Sequence, residues 1–392
     1  MKILLTHRFF WPDTAPYALI LRAVGDALAK AGHEVHVLSS MPSYRSETPP
    51  MNTPAREMLG ALHVRRISVF GDRNRNPLSR LANVVLYCWA LFTTILRLRP
   101  DVVTASTFPP VAGAWSASLA AQMVGAKFVY HVQDIHPELS QFIGDRLGRG
   151  LPRRLLRWLD NQTLQRADVI ITLSEDMAKT LRGRGLRRLP ITVIKNPPLQ
   201  AESEIVAPPA ELVKPVGTVR VIFAGNIGRF QNLQLLAEGV AQCFHAHPEL
   251  ELMFLGDGVA LPELRARWGA HPQVRFAAFL PFAQAQGLIA EADVGLVSLS
   301  PNIYKVAYPS KIVTYHKLGL RILALVEPES QLARDLENSG EGIVPAAATP
   351  SAIAQALERL IAAPMLTPSS GYNQRSSVTW NAIIDALGGS CE

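Results

Sequence analysis

Apolar runs of five to eight residues recur along the chain, most of them followed by a helix-length stretch with apolar positions three and four apart. In the first half the pattern predicts strands at 2–6, 34–39, 63–70, 101–106, 127–132, 168–174 and 191–196. A second series follows at 219–225, 251–256, 274–279, 293–299, 321–326 and 342–346. Between the two, "PPLQAESEIVAPPAELVKPVG" is rich in Pro and acidic residues and keeps no period, which reads as a linker. Strand and helix in alternation give a mostly parallel, doubly wound sheet whose ligand crevice lies beyond the carboxyl ends of the strands. The expected architecture is therefore α/β, with a Rossmann-like domain over 1–197, a linker over 198–217 and a second Rossmann-like domain over 218–373. A helix over about 374–392 is expected to pack back on the first domain, and the two domains should face a central cleft.

The length of 392 residues and the 48% hydrophobic content suffice for two cores of ordinary size. Cys88, Cys243 and Cys391 are far apart and form no CxxC, so the sequence suggests neither a disulfide framework nor a zinc site, and points to a reducing compartment. No clustered carboxylates suggest another metal. The start, "MKILLT", leaves no room for a signal peptide.

The net charge of +7 conceals an asymmetry: residues 1–200 hold 26 Lys and Arg against 14 Asp and Glu, and residues 201–392 hold 13 against 18. A basic half suits nucleic acid, an anionic membrane or a phosphorylated ligand. Nucleic acid is the poorest of these, because no binding module or stacking-aromatic series accompanies the basic runs. Two segments favour the membrane. "LANVVLYCWALFTTIL" at 81–96 is short of the roughly 20 residues needed to span, and reads as a buried helix or one resting in the bilayer interface. "GRGLPRRLLRWLDNQTLQR" sets Arg153, Arg154, Arg157 and Trp158 among leucines, a pattern suited to anionic lipid surfaces.

Phosphate chemistry has its own candidates. "FAGNIGRFQNLQLL" places Gly225 and Gly228 between a predicted strand and a predicted helix, with Arg229 inside the turn. "LGDGVALPELRARW" repeats the arrangement at Gly256 without a basic residue. "YPSKIVTYHKLG" brings Tyr308, Ser310, Lys311 and Thr314 to the start of a short helix, where Ser310 could cap and Lys311 could be a solvated charge or hold an anion. Lys305 and Lys317 read as solvated.

The order and spacing of "ALAKAGHEVHVLS", "HVQDIHPE", "DVIITLSEDMAKTL", "ITVIKNP", "FAGNIGRFQNLQLL", "FLGDG", "ADVGLVSLSP" and "YPSKIVTYHKLG" resemble the retaining nucleotide-sugar glycosyltransferases of family 4 over nearly the whole chain. That family has the GT-B fold of two facing Rossmann-like domains. "GNIGRFQ" with "PSK" looks most like the subgroup that builds colanic acid and O-antigen on lipid carriers. The chain also departs from the family. Val306 and Thr314 stand where many members have a glutamate pair, Asn226 and Gln231 align with their pyrophosphate-binding Arg and Lys, and "DTAPYA" replaces two N-terminal glycines, with Pro16 lacking an N–H.

The resemblance implies a donor site in the second domain. There Lys311 and Arg229 neutralise the departing diphosphate, beside Gly225, Asn226, Gly228, Gln231, Gly256, Tyr308, Ser310 and Thr314. It implies an acceptor site in the first domain, at Pro16, Tyr17, His131 and Gln133, with Asp134 ordering the loop or holding an acceptor hydroxyl. His131 read on its residues alone is a core histidine. The expected activity is retaining, metal-independent transfer from a nucleotide sugar, most simply UDP-linked, to a polyprenyl-diphosphate-linked glycan at the inner face of the cytoplasmic membrane. A GT-B-type sugar-nucleotide epimerase, and a catalytically silent binding subunit of a polysaccharide assembly complex, are the rival readings.

Overall fold

The computed structural model describes residues 1–13, 15–42, 53–68, 77–142, 144, 148–196, 206–228, 230–362, 380 and 382–384. The chain divides into two compact units. Unit 1 comprises Met1–Leu199, Val306–Tyr308 and Asn373–Glu392, and unit 2 comprises Gln200–Lys305 and Pro309–Tyr372.

The strands of unit 1 are β1 (Lys2–Thr6), β2 (Glu34–Ser40), β3 (Arg56–Leu59), β4 (Leu62–Ile67), β5 (Val102–Ser106), β6 (Lys127–Val132), β7 (Val169–Thr172) and β8 (Ile191–Val193). They form one sheet in the order β3-β4-β2-β1-β5-β6-β7-β8, with every pair parallel except β3 with β4. Its helices are α1 (Pro16–Lys30), α2 (Pro77–Leu98), α3 (Ala112–Val124), α4 (Glu138–Phe142), α5 (Gly150–Arg166) and α6 (Glu175–Arg182). A parallel sheet covered on both faces needs strands that are apolar on both faces, and β5 and most of β1 and β6 are buried throughout. One face packs on α1 through Ile3, Leu5, Ile20, Leu21 and Val24. The other packs on α2 and α3 through Leu4, Val103, Tyr87, Leu91 and Ala117. Trp380 and Ile384 join the first of these cores.

Unit 2 holds β9 (Val219–Ala224), β10 (Leu250–Leu255), β11 (Val274–Ala277), β12 (Val294–Ser298), β13 (Arg321–Leu325) and β14 (Gly342–Ile343), parallel throughout, in the order β11-β10-β9-β12-β13-β14. Its helices are α7 (Leu233–Ala241), α8 (Leu261–Trp268), α9 (Phe282–Ala290), α10 (Lys311–Lys317), α11 (Gln331–Ser339) and α12 (Pro350–Ala362). Part of the linker is anchored rather than loose. Leu212 O accepts from the buried Arg220 at 2.8 Å, and Lys214 pairs with Asp293 at 3.0 Å. The expected helix over 374–392 falls mostly outside the described residues.

Every strand expected from the apolar runs is present, generally trimmed at its ends, and β3 is an addition. The sequence "REML" alternates exposed and half-buried positions and forms a charged antiparallel edge, which blunts pairing with other chains.

Candidate functional site

In unit 2 the turns after β9 and β10 meet backbone to backbone. Gly225 (φ +121°) and Gly256 (φ +133°) both lie in the left-handed region. A Cβ on Gly256 would lie 2.1 Å from the Gly225 carbonyl oxygen, and one on Gly258 2.2 Å from that of Ile227. Hydrogen bonds join the turns, from Gly225 N–H to Leu255 O and from Ile227 N–H to Asp257 O, each 2.9 Å. Only glycine permits this approach.

Lys311, the first residue of α10, reaches beneath the same turn. Its Nζ sits 3.3 Å from the centroid of the Phe223 ring, and its Cε is 3.9 Å from where a Gly225 Cβ would lie. The ammonium is buried and has no hydrogen-bond partner among the described residues. Desolvation holds its pKa well below the ordinary lysine value. One turn further on, Tyr315 fixes the helix. Its hydroxyl accepts from Ala224 N–H at 3.0 Å and donates to Ile222 O at 3.4 Å, while its ring fills space that only Gly295 leaves open. The 311/315 spacing puts both side chains on one face of α10, so Tyr315 aims Lys311.

The remaining donor candidates divide. Asn226 is exposed beside the turn, and Ser310 is exposed with no capping bond. Gln231 closes the turn from within, its Oε1 accepting from Gly228 N–H at 2.9 Å, so that N–H is already engaged. Thr314 is half-buried on α10. Tyr308 belongs to unit 1 and packs against its core. Arg229 lies outside the described residues. Lys305 is exposed and donates to Asn302 Oδ1, but Lys317 is half-buried and its pKa is lowered by desolvation, so the expectation that it is solvated does not hold.

In unit 1 the corresponding strand ends carry a chain of buried polar groups. The Tyr17 hydroxyl is 3.0 Å from His131 Nδ1, His131 Nε2 is 2.7 Å from the Gln133 amide nitrogen, and Gln133 and Asn196 form a double amide pair. Both ring nitrogens of His131 are thereby engaged. Burial lowers its pKa to about 3, so the ring is neutral at pH 7. His7, which the sequence reading passed over, is buried against the Tyr17 ring at 4.7 Å and bonds Phe9 O at 2.8 Å, with its pKa lowered to about 4 by desolvation. Pro16 opens α1, where its missing N–H costs nothing.

Asp134 follows β6 and is half-buried, and desolvation raises its carboxyl pKa while His136 opposes the shift. The loop it begins is firmly held. Ile135 N–H donates to Val306 O at 2.8 Å, and Asp134 bridges to Ala307. Arg184 donates to His136 O at 2.9 Å and pairs with Glu138 at 2.6 Å and Asp160 at 2.5 Å. No group of three His, Cys, Asp or Glu is placed to hold a metal ion among the described residues.

The surface of unit 1 carries the membrane candidates. Helix α2 is 22 residues long, and Ser79–Leu98 is long and apolar enough to cross a membrane by length and composition, which the 16-residue run in the sequence was not. Yet Tyr87, Leu91 and Ile95 are part of the core, while Leu81, Val85, Leu86 and Trp89 are exposed, Trp89 to 67%. On α5, Leu151, Leu155 and Trp158 are likewise exposed. Beside them Gly150, Arg153, Arg154 and Arg157 line a depression of about 280 Å³.

Comparison with known proteins agrees with this architecture. Residues 18–197 match the family described as glycosyl transferase 4-like domain, and residues 218–363 match glycosyl transferases group 1. The probable glycosyltransferase WbjE of Pseudomonas aeruginosa is 24% identical over 77% of this chain and 75% of its own length. The putative colanic acid biosynthesis glycosyl transferase WcaI of Escherichia coli is 22% identical over 85% of each. Among solved structures, sucrose-phosphate synthase of Thermosynechococcus elongatus superimposes with a TM-score of 0.72 at 15% identity, covering 99% of this chain and 97% of that one. Anabaena HepE, in complex with UDP and glucose, gives a TM-score of 0.66 at 18% identity over the full length of both.

Proposed function

Because both halves of the chain match glycosyltransferase families, with two Rossmann-like domains of the GT-B kind, we propose that it acts in polysaccharide biosynthesis and moves a sugar with retention from a UDP-sugar to a lipid-linked glycan. The observation that carries this reading is Lys311, a buried ammonium without a hydrogen-bond partner among the described residues, placed under two abutting glycine turns. An unpaired buried charge is costly, and a diphosphate offsets that cost. In the free protein the lysine rests on the Phe223 ring, and it turns to the diphosphate as the donor binds. Charge then grows on the leaving group as the glycosidic bond breaks, and a fixed ammonium in a dry site stabilises it without reorganisation. Arg229, in the same turn by sequence, shares this task. The UDP held by HepE supports a uridine donor.

Retention follows if a donor phosphate oxygen takes the acceptor proton on the face that the leaving group vacates, which needs no carboxylate at Val306 or Thr314. Unit 1 supplies the acceptor side. Asp134 stands ready to hold an acceptor hydroxyl, on a loop fixed by Arg184. The apolar faces of α2 and α5, with the arginine-lined depression between Gly150 and Arg157, rest on the anionic inner face of the cytoplasmic membrane, where a polyprenyl-diphosphate glycan presents itself.

The test is calorimetric titration with UDP and a panel of UDP-sugars, followed by turnover with polyprenyl-diphosphate sugars and assignment of the product anomer by NMR. Binding of UDP and formation of a product with the donor's anomeric configuration are expected. An inverted product overturns retention, and release of an epimerised UDP-sugar without acceptor supports the epimerase reading instead.

A further inference from the structure

A cavity in unit 1 has no part in the scheme above. It measures about 620 Å³, within the range of small-molecule sites, and forms where the end of α2 passes over the β3–β4–β2 edge of the sheet. Leu4, Leu38 and Val64 give it a buried apolar floor, with Met58 and Leu98 at the sides. Around that floor stand Arg56 from β3, Arg65 from β4 and Arg97 from α2, together with His36 and His63.

The arrangement is built by register. Leu4 pairs with His36 and His36 with His63, so the two imidazoles stack at 4.7 Å, and Arg56 pairs with Arg65 across the hairpin. Arg65 is aimed by Thr94, whose hydroxyl accepts from its Nη1 at 3.2 Å. The nearby carboxylates are engaged elsewhere. Glu57, which also lines the cavity, pairs with Arg66 at 2.6 Å, and Glu34 bonds His36 at 2.7 Å. None of the three arginines has a carboxylate partner among the described residues. Like charges from three elements are thus gathered without compensation over an apolar floor.

None of the lining residues is one of the candidate-site residues of unit 1, although Leu38 O in the floor accepts from His7 N–H at 3.3 Å. The cavity adjoins the end of α2 that leads into β5, whereas His7 and Asp134 follow β1 and β6 and His131 lies near the end of β6. We propose that this cavity binds an organic phosphate with an apolar body. The phosphate engages Arg56, Arg65 and Arg97, and the body lies on Leu4 and Leu38. Arginine suits this role because its planar fork offers paired donors to phosphate oxygens. The proposal does not rest on the donor or the membrane reading.

Dihexanoyl phosphatidate below its micellar concentration is the probe, titrated by calorimetry into the full chain and into the double variant Arg56→Gln/Arg97→Gln. Both arginines are exposed, so the variant should keep its fold, which its melting curve checks. The expected result is saturable binding weakened about ten-fold or more in the variant, with no change in UDP affinity. Arg153→Gln/Arg154→Gln/Arg157→Gln should bind the probe as the parent does, which separates this cavity from the α5 surface. Equal binding by parent and double variant overturns the site, and inorganic phosphate binding as tightly as the lipid overturns the apolar body. Phosphatidylcholine vesicles doped with dioleoyl phosphatidate form a second arm. Binding to them that depends on Arg56 and Arg97 makes a membrane lipid the source, and binding of the soluble probe alone makes it a free organic phosphate.

Discussion

Lys311 and Tyr315 divide a task that one residue could not perform. An unpaired ammonium is unfavourable in the free protein, and the Tyr315 hydroxyl, bonded to β9, holds α10 so that the lysine cannot withdraw to water. Lys311→Met keeps the volume and removes the charge. We expect it to raise unfolding free energy by about 1–3 kcal/mol and to weaken UDP binding about 10-fold to 100-fold. The sign with pH follows from the lowered pKa. Between the folded value and the unfolded lysine value near 10.4, the unfolded chain holds the extra proton, so parent stability rises with pH across that window and the Met variant lacks this slope. Urea unfolding at several pH values measures both, and a variant less stable than the parent at pH 7 removes Lys311 from this role. The histidines behave alike at lower pH. His7 and His131 have pKa values of about 4 and 3, so the stability they support is present above about 6.5 and is lost as the pH falls towards these values. His7→Gln should therefore flatten the acid limb of the stability profile, by up to about 1.4 kcal/mol per pH unit. How much of this was legible varies by residue. Lys311 could be singled out from "PSK" after a βαβ pattern. Tyr315 could not, because its partner Ala224 is 91 positions away. Nor could the occupation of His131 by Tyr17, which depends on the start of α1 meeting the end of β6.

At the scale of elements, apolar runs located the strands because a parallel sheet buried on both faces leaves an unbroken signal. The same reasoning missed β3, a short polar edge strand whose pairing is set by its neighbour β4. It also measured α2 by its apolar run alone, although the helix continues to Pro77 and Leu98 and turns one face inward. The outward faces of α2 and α5 make a prediction of their own. Each basic residue near an anionic surface contributes roughly 1 kcal/mol, so Arg153→Gln/Arg154→Gln/Arg157→Gln should reduce sedimentation with phosphatidylglycerol vesicles by about 100-fold in affinity. Trp89→Ser on α2 should lower it further, at unchanged UDP affinity. If the parent chain ignores such vesicles at low salt, both faces need another explanation.

For the whole molecule, the separate hydrophobic cores of the two units have a measurable consequence. UDP binding to unit 2 at about 100 times its Kd should stabilise that unit by about 2.7 kcal/mol. Scanning calorimetry should then show one transition moving upward with UDP while the other stays in place. A single transition that moves as a whole would mean that the cores melt as one cooperative system. Charge follows the same division, since the basic half of the chain is the one that carries the arginine-lined depression and the arginine-rimmed cavity.

Trp380 and Ile384 lie in the core of unit 1, packed with Ile3, Leu5 and Phe10 near the start of the chain. During translation that core stays open until residues 380–384 have left the ribosome, long after all of β1 to β8 has been made. The described elements of unit 2, from β9 to α12, form one nearly continuous segment whose core residues, among those described, all precede Ala362. The usual order, in which the amino-terminal domain folds first, is therefore reversed at the final step. A chain that stops between Ala362 and Trp380 carries an unfinished, basic and partly apolar unit 1 together with every described element of unit 2. Premature stops or ribosome stalling in that interval should yield chains that aggregate although every strand of both sheets is present.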